Sequence, residues 1–210
     1  MNKREQQKQQ RRENIILAAK DLFLKHGIQQ VQLQDVANEV GIGIATLFRY
    51  FPNKELLLIA VNTEITRQLT KNMIEIANKK ITAYEQIEQV LNYYINLANE
   101  PEHKFVRFLK AMENYKPADA ASLEFIEYIE CRREMADVLM EIAENGRRDQ
   151  SIRTDLDLDF YLLTIVQNIS YFTTESTLTN HDPTLKVKLD AQVQLHMLKD
   201  IFLNYLKAIN

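Results

Sequence analysis

The sequence predicts an all-α protein, and three observations carry that prediction. Glycine and proline, four of each in 210 residues, are too few for a β fold, which needs turn residues at short intervals. Apolar residues recur at three- and four-residue spacing through most of the chain, the pattern of helices with a buried face. Three of the four glycines, Gly27, Gly41 and Gly43, are crowded near the amino terminus, so turns are dense there and scarce elsewhere. The architecture expected is an N-terminal three-helix helix-turn-helix domain followed by a larger helical-bundle domain, about nine helices in total.

Residues 1–13 are polar and basic, an arm or the frayed start of a helix. Ile15, Ala18, Ala19, Leu22 and Phe23 then follow helical spacing up to His26, and Gly27 suits the left-handed stop. A short helix is predicted from Leu33 to Val40, a tight turn at Gly41-Ile42-Gly43, and a third helix from Ile44 to Tyr50. Phe51-Pro52-Asn53 breaks it, and Asn53 is a good N-cap for the next helix. Longer helices are predicted at 54–79, 83–99, 102–115, 119–145, 157–179 and 183–208. Pro101, Pro117 and Pro183 fall at the breaks, Asn145-Gly146 closes one helix, and Asp157-Leu158-Asp159 opens another with acids at its positive end. The domains are set at 1–53, including the basic arm 1–13, and 54–210.

Composition narrows the function classes. The single cysteine, Cys131, excludes an intramolecular disulfide and a cysteine-based zinc site; a buried, inert thiol is expected. The start of the chain lacks the apolar core of a signal peptide, and the longest apolar run, 160–172, is interrupted by Thr164, Gln167, Asn168 and Ser170. A cytoplasmic protein without a membrane span is expected. The net charge of −3 hides an asymmetry: residues 1–54 carry nine Lys/Arg against five Asp/Glu, a net of +4, and residues 55–210 carry a net of −7. One part is suited to a polyanion and the other is not.

Two short helices joined by a glycine turn behind a longer helix make a helix-turn-helix, in which the second helix is angled to enter the major groove. The residues around the turn sharpen this. The run Gly27, Leu33, Val36-Ala37, Val40-Gly41-Ile42, Thr46-Leu47-Phe48-Arg49-Tyr50-Phe51-Pro52-Asn53-Lys54-Glu55 and Leu57 resembles the amino-terminal signature of the TetR family of bacterial transcriptional regulators, over residues 12–58 without a gap. Ile152-Arg153-x-Asp155-x-Asp157 is similar, more weakly, to a recurring loop of that family.

The resemblance implies DNA contacts at matched positions. Ile44, Ala45, Thr46 and Arg49 would face or flank the groove, Gln34 would reach a base edge or the backbone, and Tyr50 and Lys54 would hold phosphates. Leu47 and Phe51 would face the small core. Three positions depart from the family pattern. Gln32 stands where a capping Ser or Thr is usual and is a poorer cap that could still reach a phosphate, Gly43 removes a cap before the third helix, and Phe48 keeps an aromatic ring without the phenol donor of tyrosine. Lys3, Arg4, Lys8, Arg11 and Arg12 either follow the DNA or form a solvated tail.

The family also implies an effector pocket and a dimer interface in the acidic remainder. The helix at 157–179 is apolar nearly all round, and the last helix carries a long apolar set, so pairing of these two helices across a two-fold axis would cover both. That homodimer would set two recognition helices on a palindromic operator in double-stranded DNA, roughly 34–36 Å apart per helical turn. Phe105, Phe108, Met112 and Tyr128 line a pocket or form plain core, and Gln167, Asn168 and Tyr171 face either a small-molecule effector or a dimer mate. No cofactor and no metal is expected. Glu100-x-x-His103 has the spacing of helical di-iron sites, but such a site needs two copies of the motif and two further carboxylates. The residue pattern favours a DNA-binding protein over a metal-dependent helical enzyme or a helical adaptor that binds only protein, and the family resemblance implies a ligand-responsive repressor.

Overall fold

The structure, a computed structural model, describes residues 2–99, 104–112, 115, 121–178 and 189–207. Among them the order is α1 (Lys3–His26), α2 (Leu33–Val40), α3 (Ile44–Phe48), α4 (Lys54–Ala77), α5 (Ala83–Ala98), α6 (Lys104–Met112), α7 (Leu123–Asp149), α8 (Leu158–Leu178) and α9 (Ala191–Leu206). The all-α prediction holds. Glu100, Pro101, His103, Pro117, His181, Pro183 and Leu185 lie outside the described residues.

The chain forms two compact units, Met1–Arg67 with Arg107–Arg132 and Gln68–Val106 with Arg133–Asn210. In the first, α1 packs on α2 and α2 on α3. Ile15, Ala19, Phe23, Val36, Ala37, Leu47 and Phe51 are removed from water there, which matches the helical spacing of the sequence. The second unit packs α5, α8 and α9 against one another around Leu91, Ile142, Leu158, Ile165, Ile169, Leu195 and Leu206.

Of two local predictions, one is decided and one corrected. Residues 3–13 are the first turns of α1, the helix start rather than the arm, and Asn2 caps the helix. The Asn2 amide donates to Glu5 Oε2 at 3.0 Å, and the Arg4 amide donates to Asn2 Oδ1 at 3.4 Å. Gly146 does not end its helix, and α7 continues to Asp149. A Cβ at Gly146 would lie 2.6 Å from Ile152 Cδ1 and 3.4 Å from Ala83 Cβ, so this glycine permits close packing. The helix stops where Gln150 takes a positive φ of 57°.

The end of α7 in turn caps α5. The Ala83 amide donates to Asp149 Oδ2 at 2.7 Å, and the Tyr84 amide donates to Ser151 Oγ at 3.1 Å. Burial raises the Asp149 pKa, but the bonds from Ala83 and Ser151 outweigh it and hold the carboxyl below its ordinary value. The loop after α7 is tied to the end of α9 by the Arg153 amide, which donates to the Leu206 carbonyl at 3.1 Å. Asp157, predicted as a cap, accepts from the Phe160 amide at 3.1 Å. Buried hydroxyls of Thr63, Thr173 and Ser176 bond the carbonyl four residues back, which leaves no orphan polar group at these sites.

Candidate nucleic-acid interface

The turn between α2 and α3 follows from its glycine. Gly41 takes φ +72°, the left-handed region that only glycine enters freely. Its amide donates to the Asn38 carbonyl at 3.1 Å, and the Ile42 amide donates to the Ala37 carbonyl at 2.9 Å. This pair of bonds is a Schellman motif, and it redirects the chain within two residues. Gly43 stands at the N-cap of α3 with φ −68° and no side-chain cap, as its lack of a hydroxyl dictates. The turn therefore depends on Gly41 and not on Gly43.

Two buried residues fix how α3 is displayed. Leu47 and Phe51 are fully removed from water, and the opposite side of the helix is left open. Ala45, Phe48 and Arg49 are exposed, while Ile44, Thr46 and Tyr50 are half-buried. The short helix thus offers a mixed methyl, hydroxyl, ring and guanidinium surface of the kind that reads base edges. Gln32 and Gln34 are exposed on the preceding helix, where the Gln34 amide donates to Asn38 Oδ1 at 2.8 Å. The Gln32 backbone amide donates to Asp35 Oδ2 at 2.7 Å, so an acid in the first turn stabilises the start of α2.

Lys54 opens α4 half-buried, with Nζ 6.0 Å from the centre of the Phe23 ring. Desolvation lowers its pKa, against the raising effect of the Asp35 charge. Asn53 caps this helix by accepting from the Leu56 amide at 2.9 Å, as the sequence predicted.

The structure gives Arg12 a use that the sequence did not suggest. Its Nη2 lies 3.0 Å from Glu127 Oε2 and 3.3 Å from Glu124 Oε1, and its guanidinium sits 5.4 Å from the centre of the Phe51 ring. Glu124 is only 7% exposed. Glu124 of α7 is therefore a buried partner for α1. No local pattern signals a pair 112 residues apart in sequence.

The residues expected at an effector pocket differ in exposure. Phe108 is buried, and Phe105, Met112 and Tyr128 are half-buried on α6 and α7. Gln167, Asn168 and Tyr171 are exposed on α8, and the Asn168 amide is satisfied by the Thr164 carbonyl at 2.7 Å. These three positions share an outward stripe with Phe160 and Leu163. Cys131 is buried, as expected, with its sulfur 3.8 Å from the Thr63 carbonyl. Among the described residues no cluster of three His, Cys, Asp or Glu side chains could hold a metal, and no helix is long and apolar enough to cross a membrane.

Comparison with known proteins matches the amino-terminal segment to a family. Residues 15–61 match the family described as bacterial regulatory proteins, tetR family. The fatty acid metabolism regulator protein of Bacillus subtilis is 32% identical over 91 residues, 43% of this chain and 47% of that protein. The HTH-type transcriptional repressor KstR2 of Mycolicibacterium smegmatis is 23% identical over 150 residues, 71% of each chain. The chain thus spans about half the length of the first relative and more of the second. The solved structure of the transcriptional regulator FadR from Bacillus subtilis in complex with stearoyl-CoA superposes with a TM-score of 0.65, covering 92% of this chain and 98% of that one at 21% identity, a likeness of fold. Residues 15–61 thus carry a helix-turn-helix that matches the tetR family of bacterial regulatory proteins, on a helical fold shared with that solved structure.

Proposed function

We infer that the chain is a sequence-specific DNA-binding transcriptional regulator, a repressor whose hold on a palindromic operator is released by a small-molecule effector. The observation that carries this reading is the display of α3, anchored by Leu47 and Phe51 with Ala45, Phe48 and Arg49 turned outward behind a glycine-set turn. Residues 1–53 act as the DNA-binding domain and residues 54–210 as the effector and dimerisation domain. Base contacts fall to Gln34, Ile44, Ala45, Thr46 and Arg49, with Phe48 lending apolar contact and Gln32, Tyr50 and Lys54 holding phosphates.

The homodimer forms through α8 and α9. Phe160, Leu163 and Tyr171 are exposed on one stripe of α8, and Val193, Met197, Ile201 and Tyr205 on one stripe of α9. Large apolar side chains at such regular spacing mark an interface. Gln167 and Asn168 lie within that interface. The effector would sit against Phe108, Met112 and Tyr128 of the first unit. A long-chain acyl-CoA is the class to test first, since stearoyl-CoA is held by the fold relative from Bacillus subtilis. The regulator works in the cytoplasm, where it meets DNA, and has no catalytic step.

Fluorescence anisotropy on duplex DNA at several salt concentrations tests the reading. The wild type binds with a strong salt dependence, and Lys54→Ala weakens all sequences alike while lowering the salt slope by about one per subunit. Salt-independent or absent DNA binding by the wild type would favour a protein-binding adaptor. Stearoyl-CoA added to the complex releases DNA if the effector class is right.

A further inference from the structure

The amino-terminal turns of α1 lie outside the matched segment, which begins at residue 15, and residues 2–11 are exposed throughout. Arg4, Lys8 and Arg11 recur at spacings of four and three, so they share one face of the helix. Together with Gln7, Asn14 and Tyr50 they line an open groove of about 460 Å³. Tyr50 lies two residues past the end of α3 in the chain, so the groove reaches the end of the helix proposed to read DNA.

Charge in this groove is unbalanced. No described carboxylate pairs with Arg4, Lys8 or Arg11, whereas the adjacent Arg12 is held by Glu124 and Glu127. The two acids of the segment are engaged elsewhere: Glu5 accepts from the Asn2 amide, and Glu13 accepts from Gln9 Nε2 at 3.0 Å. What remains is a row of cations with amide and phenol donors beside it, complementary to successive phosphates. The row is built on a capped helix about 10–12 Å wide, which cannot enter a minor groove only about 6 Å wide.

On the reading that the chain binds DNA, we propose that the first turns of α1 are a second phosphate-binding element. Arg4, Lys8 and Arg11 grip the DNA backbone beside the groove that α3 enters, with Tyr50 as the junction. This element adds affinity and salt dependence without reading sequence.

Because backbone contacts carry no sequence information, a duplex of arbitrary sequence serves as the probe. The triple variant Arg4→Gln, Lys8→Gln, Arg11→Gln is compared with wild type across a salt series, on an AT-rich and a GC-rich duplex. Removing one cation from a phosphate lowers the slope of log affinity against log salt by about 0.9, so a fall of about two to three per subunit is expected, equal on both duplexes. Circular dichroism should show an unchanged melting transition, since the three side chains are exposed. The charge-preserving variant Arg4→Lys, Arg11→Lys should keep the wild-type slope. A slope reduced by less than one per subunit overturns the proposal and leaves the row a solvated helix face. A reduction confined to the AT-rich duplex also overturns it, because that pattern is minor-groove reading. If the wild type fails to bind either duplex, the regulatory reading itself fails, which separates the two outcomes.

Discussion

Gly146 and Tyr161 each place a local chemical demand on the second unit. At Gly146 the missing side chain leaves room for Ile152, which is buried and has little freedom to retreat. Gly146→Val inserts atoms into this contact with almost no compensating change in helix propensity, and a loss of about 2–3 kcal/mol is expected. Urea unfolding measures it, and an unchanged midpoint would show that Ile152 swings aside. Tyr161 donates to the Phe202 carbonyl at 3.0 Å, and its ring lies 5.5 Å from that of Tyr205. Burial pushes its phenol from the ordinary 10.0 up to about 12, with Tyr205 adding to the shift and Arg153 opposing it. A phenol that keeps its proton longer in the folded chain stabilises it fully below the unfolded pKa. That contribution is lost as pH rises through the folded value. Stability should therefore decline between pH 10 and about 12, and Tyr161→Phe should flatten the decline. Parallel declines in the two proteins would assign the effect to other groups.

At the scale of the element, α1 divides its cations between two tasks. Arg12 is enclosed by Glu124, Glu127 and the Phe51 ring, while Arg4, Lys8 and Arg11 face water. Removing Arg12 leaves Glu124 buried without its counter-charge, so Arg12→Gln should cost about 2–3 kcal/mol, toward the low side for a broken buried pair because Glu127 is partly wet. The salt slope on duplex DNA should stay at the wild-type value, and a lower slope would show that Arg12 reaches phosphate after all. This division also shows where the sequence was informative. The three amino-terminal helices, the Gly41 turn and the Asn53 cap rest on neighbours within a few residues, and local spacing revealed them, while the inward Leu47 and Phe51 were implied by the family resemblance. The Arg12 pair and the packing role of Gly146 depend on residues distant in the chain or on the depth of a contact, which spacing does not encode. Gln167 and Asn168 read as polar breaks in an apolar helix, but periodicity alone could not decide whether their stripe faced inward or outward.

For the molecule as a whole, the most consequential feature is the apolar surface left on its last two helices. Phe160 is 73% exposed and Ile201 61% exposed, although α8 and α9 bury Leu162, Ile165, Leu195 and Leu203 on their other sides. The double variant Met197→Asp, Ile201→Asp should sediment as a monomer and keep its helical circular dichroism, since both side chains are solvent-facing. A dimer that survives these charges would remove α9 from the interface. The charge division suits this arrangement, because the acidic residues 55–210 are repelled by DNA and the basic amino-terminal part is drawn to it.

If those exposed stripes pair two chains, the amount of protein becomes a variable of the response. An operator that accepts only paired chains sees, below the dimerisation constant, an occupancy that rises as the square of the chain's concentration. Weakening the apolar contact by a single side chain would therefore shift the expression level at which the genes are silenced, without altering one base contact.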